Sequence, residues 1–449
     1  MSATQILKRT PPAALPRLGV DQGTWTAFRA ERRKLTAQLW LRLLGLVCLL
    51  GPVAFAAVLS TQSASPADTL FGVWVHSSGF AIPLVVLGFA GTWGFPLIAG
   101  IIAGDLFSAE DRHGTWKTVL TRSRTRRQLF AGKLLAAATF SVGLATLAGL
   151  SSLVAGLIFV GDQSLVGLSG TLLSPGKSLL LVLVSWLLCL LPMLAFTSLA
   201  VLLSVATRNG IVGVIGPAVA GLAMQLLLLI GSGVWIHALL VSSAFEDWHP
   251  LFVEHPFYGP VVAGIAISLV WIVVCVGASW LLLRGRDFAG PLVARRAGWV
   301  IPARVVLVFA AIIAVLAIGG TWGPAGVTAA RMNASIAPTF NNHAVLQQRL
   351  VGRSVPSGTK LNLQTACSRR GSSSRGPGDW SCTLTVFIPQ SGALPLQPTP
   401  VTYDVSANSD GCYKATAPPS FIGRQTIHDP AGKTVVNPLF TIYSCFNTF

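Results

Sequence analysis

Residues 179–204 read LLLVLVSWLLCLLPMLAFTSLAVLLS, from Leu179 to Ser204, without one charged side chain. About 20 predominantly apolar residues are enough for a helix to cross the hydrocarbon core of a bilayer, so this stretch predicts a membrane-spanning helix. Residues 40–60, 79–103, 134–160, 211–231, 259–283 and 301–320 have the same character. One such stretch in isolation could be the core helix of a soluble domain. Seven in one chain of 449 residues, 52% hydrophobic and 10% charged, exclude that reading, because soluble domains carry roughly 25% charged residues. About 39 residues precede the first stretch, and no small-residue cleavage site follows it, so it is not read as a removable signal peptide.

The basic residues orient these spans. Lys and Arg are retained in cytoplasmic loops and are scarce in short translocated ones. Counted alternately along the chain, residues 1–38 hold seven, 104–133 seven, 205–210 one and 284–300 four. The intervening loops 61–78, 161–178 and 232–258 hold only Lys177. This asymmetry predicts a cytoplasmic N-terminus, and seven spans then place the C-terminal part outside. The same bias accounts for most of the net charge of +17. A basic inner face suits anionic membrane lipid, and no motif points to nucleic acid as a partner.

Three segments between the spans carry further pattern. In 24–38, Trp25, Phe28, Leu35 and Leu39 share one helical face, away from Arg29, Arg33 and Lys34. That predicts an amphipathic helix lying on the inner leaflet. In 104–133, Ser108-Ala-Glu-Asp111 and Thr125-Arg-Arg-Gln128 have the form of capping boxes. Trp116, Val119 and Leu120 recur at helical spacing between them. Two short helices with an Arg cluster at their junction are expected, the first with an apolar face that needs a surface to dock on. Loop 232–258 has no Lys or Arg but carries Trp235, Phe245, Trp248, Phe252, Phe257 and Tyr258. It predicts a re-entrant or interfacial segment, ended by Pro250 and Pro256.

Residues 321–449 change character and are rich in Gly, Pro, Ser and Thr. Alternation through Cys382, Leu384, Val386 and Ile388, then Val401, Tyr403 and Val405, predicts strands; another is expected within 434–445, and a short helix at 343–352. Tyr403, Tyr413, Phe440, Tyr443 and Phe446 are candidates for a binding surface or for the core of a small β domain. Cys48, Cys189 and Cys275 lie in spans and read as apolar filler. Cys367, Cys382, Cys412 and Cys445 all fall in this last region, where an oxidising exterior would favour two disulfides. Three connectivities are possible; the short separation of the first pair favours Cys367–Cys382 with Cys412–Cys445. The spacing does not resemble metal-binding knuckles, and no metal is expected.

No chemistry of catalysis is legible. The nearest approach to a phosphate-binding loop, Gly170 to Ser178, has one residue too many between its glycines and lies on the predicted outside. There is no His-Glu-x-x-His or Gly-x-Ser-x-Gly, and no acidic residue lies deep in a predicted span. The chain is therefore expected not to be an enzyme.

Gly104-Asp-Leu-Phe-Ser-Ala-Glu-Asp-Arg-His-Gly-Thr-Trp-Lys-Thr-Val-Leu-Thr-Arg-Ser-Arg-Thr-Arg-Arg-Gln-Leu-Phe-Ala-Gly-Lys133, with the amphipathic helix before span one and the aromatic segment between spans five and six, resembles the permease subunit of ABC-2 type transporters. The resemblance covers about residues 22–284. In that family an acidic residue, a Gly-Thr, a hydrophobic pair, an Arg and a Gly-Lys mark the loop that couples to the ATPase. Here they match Glu110 with Asp111, Gly114-Thr115 beside Trp116, Val119-Leu120, an Arg among 122 to 127 with Arg122 and Arg126 as candidates, and Gly132-Lys133.

The resemblance implies a polytopic helical bundle without a cofactor of its own, ATP being bound by a separate ABC ATPase on the cytoplasmic side. It implies pairing as a homodimer, or as a heterodimer with a second permease, in a bacterial plasma membrane. Export of a drug, lipid or envelope-related substrate is the expected activity. The chain departs from the family pattern by a seventh span, by a C-terminal domain, and by lacking the proline often found before the Arg cluster. The expected organisation is a cytoplasmic tail at 1–38, a six-span ABC-2-like domain at 39–284, a linker with the seventh span at 285–320, and a β-rich extracytoplasmic domain at 321–449. A membrane-anchored sensor or ligand-binding protein acting through that domain is the alternative, and a membrane-embedded enzyme a third, disfavoured for want of clustered His, Asp or Glu.

Overall fold

Backbone groups in hydrocarbon must satisfy one another, which leaves the helix as the way for apolar stretches like these to cross. Among the described residues of the computed structural model, six helices are long and apolar enough to do so: Leu39–Thr61, Ala81–Arg112, Arg126–Phe159, Pro175–Thr207, Gly210–Leu227 and Gly259–Arg284. The structure describes residues 20–62, 69–116, 118, 125–229, 239–286, 326–356, 358–371, 374–390, 393–408 and 410–448. The expected seventh span, 301–320, lies outside them. Spans two, three and four are 44% buried within the protein, against 22% for spans one, five and six. The first three are thus the interior of the bundle and the others its wall, with Leu46, Val47, Leu226, Val262 and Val273 exposed.

Small residues set the closest approaches. Spans two and five meet at Gly104 and Gly213, where a Cβ on Gly213 would stand 2.0 Å from the Gly104 carbonyl oxygen. Span two is also interrupted by a π-helical turn at Ala90–Gly94, and the ring of Phe245 packs beside Gly91 there.

The N-terminal helix, Val20–Ala37, buries Ala27, Phe28 and Leu35. Half of its expected apolar stripe is used this way. Trp25 stays on the outside, stacked on Phe28 at 4.8 Å, while Leu39 opens span one.

At the opposite end, the aromatic loop differs from its expectation where it is described. Its residues 230–238, with Trp235, are outside the described chain. Phe245, Trp248 and Phe252 are buried rather than held at a membrane interface. They sit on short 3-10 turns, Ser243–Phe245 and His249–Phe252. Phe71 stacks on Trp248 at 6.1 Å and meets Phe252 at 5.0 Å; Phe245 meets Phe95 and Phe196. Burying rings of this size against one another outweighs their affinity for a headgroup layer. Pro250 starts the second turn instead of ending a helix.

The C-terminal region forms one antiparallel sheet in the order β3 (Asn362–Arg369), β4 (Gly378–Gln390), β5 (Ala393–Ala407), β6 (Cys412–Thr416), β9 (Thr441–Cys445). β7 (Thr426–His428) and β8 (Thr434–Val436) make a small separate ribbon. A hairpin between spans three and four supplies β1 (Leu165–Val166) and β2 (Leu172–Leu173). The stretch 434–445 thus holds two strands, not one. The domain helix runs over Ala329–Leu350, far longer than the expected 343–352, and Thr328 caps it by accepting from the Arg331 amide. Met332, Ile336, Phe340 and Ala344 pack it on the sheet residues Trp380, Leu384 and Tyr403. Tyr403, Tyr413, Tyr443 and Phe446 are buried and serve as core. Disulfides join Cys367 to Cys382 and Cys412 to Cys445, each across adjacent strands.

The domain rests on the bundle. The Glu254 amide and Ser444 both bond the Ser169 hydroxyl, at 3.1 and 3.3 Å, and Thr339 donates to Ser444 at 3.2 Å. Asn342 donates to Glu254 at 2.7 Å. His343 lies against Gly170, whose φ of +77° favours glycine. Tyr443 and the Cys412–Cys445 pair join the apolar cluster of the spans, whereas Cys367 and Cys382 belong to the domain's own core.

Candidate functional site

The segment 104–133, which closes span two and leads into span three, holds most of the residues singled out by pattern. Its first helix, Ser108–Arg112, is a single turn. Ser108 does not cap it: the N-cap position is Phe107, and the Ser108 hydroxyl turns back to Asp105 at 2.8 Å. The amides of Phe107 and Ser108 instead donate to the Ser204 hydroxyl at the end of span four, at 3.3 and 3.1 Å. The second box forms as expected: Thr125 and Gln128 cap each other reciprocally and start span three.

Lys133 is the centre of the site. It is 1% exposed and forms ion pairs with Glu31 at 2.7 Å and Glu110 at 3.2 Å. It also donates to the Leu106 carbonyl at 3.0 Å and lies over the Phe107 ring. Glu110 takes a second cation, Lys34, at 2.9 Å, and accepts from the Thr115 hydroxyl. Two lysines and two glutamates thus balance in charge, drawn from three parts of the chain. Burying such a set is tolerable because each charge has an opposite neighbour; removing one partner leaves an uncompensated charge in low dielectric.

Backbone geometry brings these groups together. Gly132 packs where a Cβ would meet Ala27 at 2.6 Å, so the N-terminal helix lies directly on the start of span three. Gly114 adopts φ of +62°, which reverses the chain so that the Thr115 amide reaches the Glu110 carbonyl at 3.1 Å. Nearby, Asp111 pairs with Arg286 at 3.0 Å, and Arg126 donates to the carbonyls of Arg284 and Arg286, both at 2.9 Å. The end of span six is thereby tied to the same segment.

Trp116 is 5% exposed and stacks on Phe107 at 6.3 Å. The expected outward docking face is corrected in this respect, since the indole finds its apolar partner within the chain. Val119, Leu120 and Arg122 lie outside the described residues. Glu31, Lys34, Ser204 and Arg286 were not legible as site residues. One signal for Glu31 was present: it is the lone acid among Arg29, Arg32, Arg33 and Lys34.

At the other end, ligand atoms of His249, Asp410 and Cys412 lie within 4.8 Å of one another. Cys412 is disulfide-bonded, so two donors remain and the group does not amount to a metal centre.

Residues 27–245 match the profile of the ABC-2 family transporter proteins. That interval contains the Glu110–Lys133 site and five of the six spans. No curated protein is similar enough to match the chain.

Proposed function

We propose that this chain, whose residues 27–245 match the ABC-2 family transporter proteins, is the permease subunit of an exporter driven by a separate ABC ATPase. The observation that carries the reading is the ion-pair network of Glu31, Lys34, Glu110 and Lys133, centred on the buried Lys133 and Glu110. A segment that transmits force from an ATPase must be rigidly joined to the helices it moves. Here one lysine of span three holds both the segment and the N-terminal helix, and Arg286 adds span six. The basic residues at this end support its assignment to the cytoplasm.

The exterior domain is read as an accessory cap on the exit of the pathway, facing a drug, lipid or envelope-related substrate. Its seat on the β1–β2 hairpin and on the 243–254 segment, opposite the coupling site, supports this. Arg286 stands at the coupling end and the domain at the other, so a seventh crossing between them is part of the proposal. Pairing with a second permease copy or a related chain is a further part.

The test is affinity purification of the chain from its native membrane, followed by ATP-dependent transport in proteoliposomes. An ABC ATPase should copurify, and Glu110→Gln, which leaves Lys133 paired with Glu31, should weaken its retention while the protein remains monodisperse. Full retention of ATPase and transport by that variant would overturn the reading. Recovery of the chain without any ATPase would favour the sensor.

A further inference from the structure

The seam between the exterior domain and the bundle gathers acidic groups. Glu246 and Asp247 follow the buried Phe245 and are half-buried. The Asp247 carboxyl lies against span six, 2.2 Å from where a Gly264 Cβ would stand. Asp410 approaches from the domain, with its Oδ1 accepting from the Cys412 amide at 2.9 Å, and its charge acts on both. His249 lies within 4.8 Å of Asp410. The other titratable or charged groups along the seam are Cys189 of span four, Glu254 on Asn342, His343 against Gly170, Tyr413, and Lys414 over the Tyr443 ring.

We propose that protonation of Glu246 and Asp247 controls whether the exterior domain stays seated on the bundle. Asp410 of the domain stands within 4.8 Å of His249, in the same turn region as Glu246 and Asp247 of the bundle, so the seated arrangement brings carboxyl groups of the two bodies to one seam and favours their neutral forms, and ionisation drives the bodies apart. Burial, with the Asp410 charge adding to it, raises Glu246 from 4.5 to about 7 and raises Asp247 well above the carboxylate range. Burial lowers His249 to about 3 and His343 to about 4, so neither supplies a compensating cation near neutrality. The sign follows from linkage. A carboxyl raised in the seated state favours seating fully below its free value of 4.5, and that contribution is lost as pH rises through the seated value, about 7 for Glu246. Water reaches part of both groups, so a change of about tenfold in the seated-to-released ratio is expected rather than the full shift.

Spin labels at Lys177→Cys on the bundle and Thr402→Cys on the domain report the separation by pulsed electron resonance in nanodiscs. Both positions are exposed and the free cysteines Cys48, Cys189 and Cys275 are buried, so a polar label spares them. A single narrow distance is expected at pH 5.5, with a longer population about tenfold enriched at pH 8.5. Glu246→Gln with Asp247→Asn should stay narrow at both, and Asp410→Asn should reduce the response. A wild-type distribution indifferent to pH, or a response that survives the amide variants, would overturn the proposal. It rests on the seat and not on transport, so that outcome leaves the permease reading standing.

Discussion

The two ends of the bundle are held together by opposite means. At one end, Glu31, Lys34, Glu110 and Lys133 neutralise one another around the buried Lys133. At the other, Phe71, Trp248 and Phe252 pack ring on ring, and the carboxyl groups of Glu246, Asp247 and Asp410 lie along the same seam without forming such a balanced set. An ionic joint tolerates little change of geometry, since every displaced partner exposes an unpaired charge. An aromatic seat tolerates sliding, because dispersion contacts are many and individually weak. Under the proposed function, this gives a rigid joint where the ATPase would act and a yielding seat for the C-terminal domain.

Lys133→Met should break the comparison most severely. It leaves Glu31 and Glu110 buried without their shared cation and should cost about 3–5 kcal/mol, read as lowered resistance of the detergent-solubilised protein to thermal aggregation. Adding Glu31→Gln and Glu110→Gln should recover much of that loss; a triple variant as unstable as the single one would mean that the network does not act through charge. Phe252→Ala should come next, at about 3–4 kcal/mol, but confined to the seat. Its signature is faster proteolytic release of the C-terminal domain with the six spans unaffected. Asn342→Ala removes one bond to the exposed Glu254 and should shift that release by about 1 kcal/mol. Arg112→Ala, breaking an open pair with Asp105 whose side chains are 56% and 38% exposed, should change stability by less than about 0.5 kcal/mol. A larger effect from Arg112 than from Asn342 would show that the ionic end owes its strength to its exposed pairs as well.

What the sequence shows and hides follows the same division. The six spans are legible because twenty apolar residues in a row have few alternatives. The Thr125–Gln128 box is legible because capping is local. Strands β4 and β5 announce themselves by alternation. The Lys133–Glu31 pair is hidden because 102 positions separate its members and no periodicity connects them. Ser108 misleads because Ser204, also distant, offers the Phe107 and Ser108 amides an acceptor at the place where a cap would act. The domain helix is obscured by Pro338 in its interior, although Met332, Ile336, Phe340 and Ala344 recur at helical spacing. The aromatic segment at 243–252 reads equally well as an interface belt or a core; only its neighbours Phe71, Phe95 and Phe196 decide.

The seat of the C-terminal domain has a consequence for biosynthesis. Its contact strand, β9, meets the His249–Phe252 turn yet emerges roughly 190 residues after it, which at 5–20 residues per second is about 10–40 s of translation. Throughout that interval the outward side of Trp248 and Phe252 lacks its native cover on a bundle already inserted. The oxidation that joins Cys412 to Cys445 closes the interval. A nascent chain is thus exposed longest at the surface where a folding helper would have to hold it.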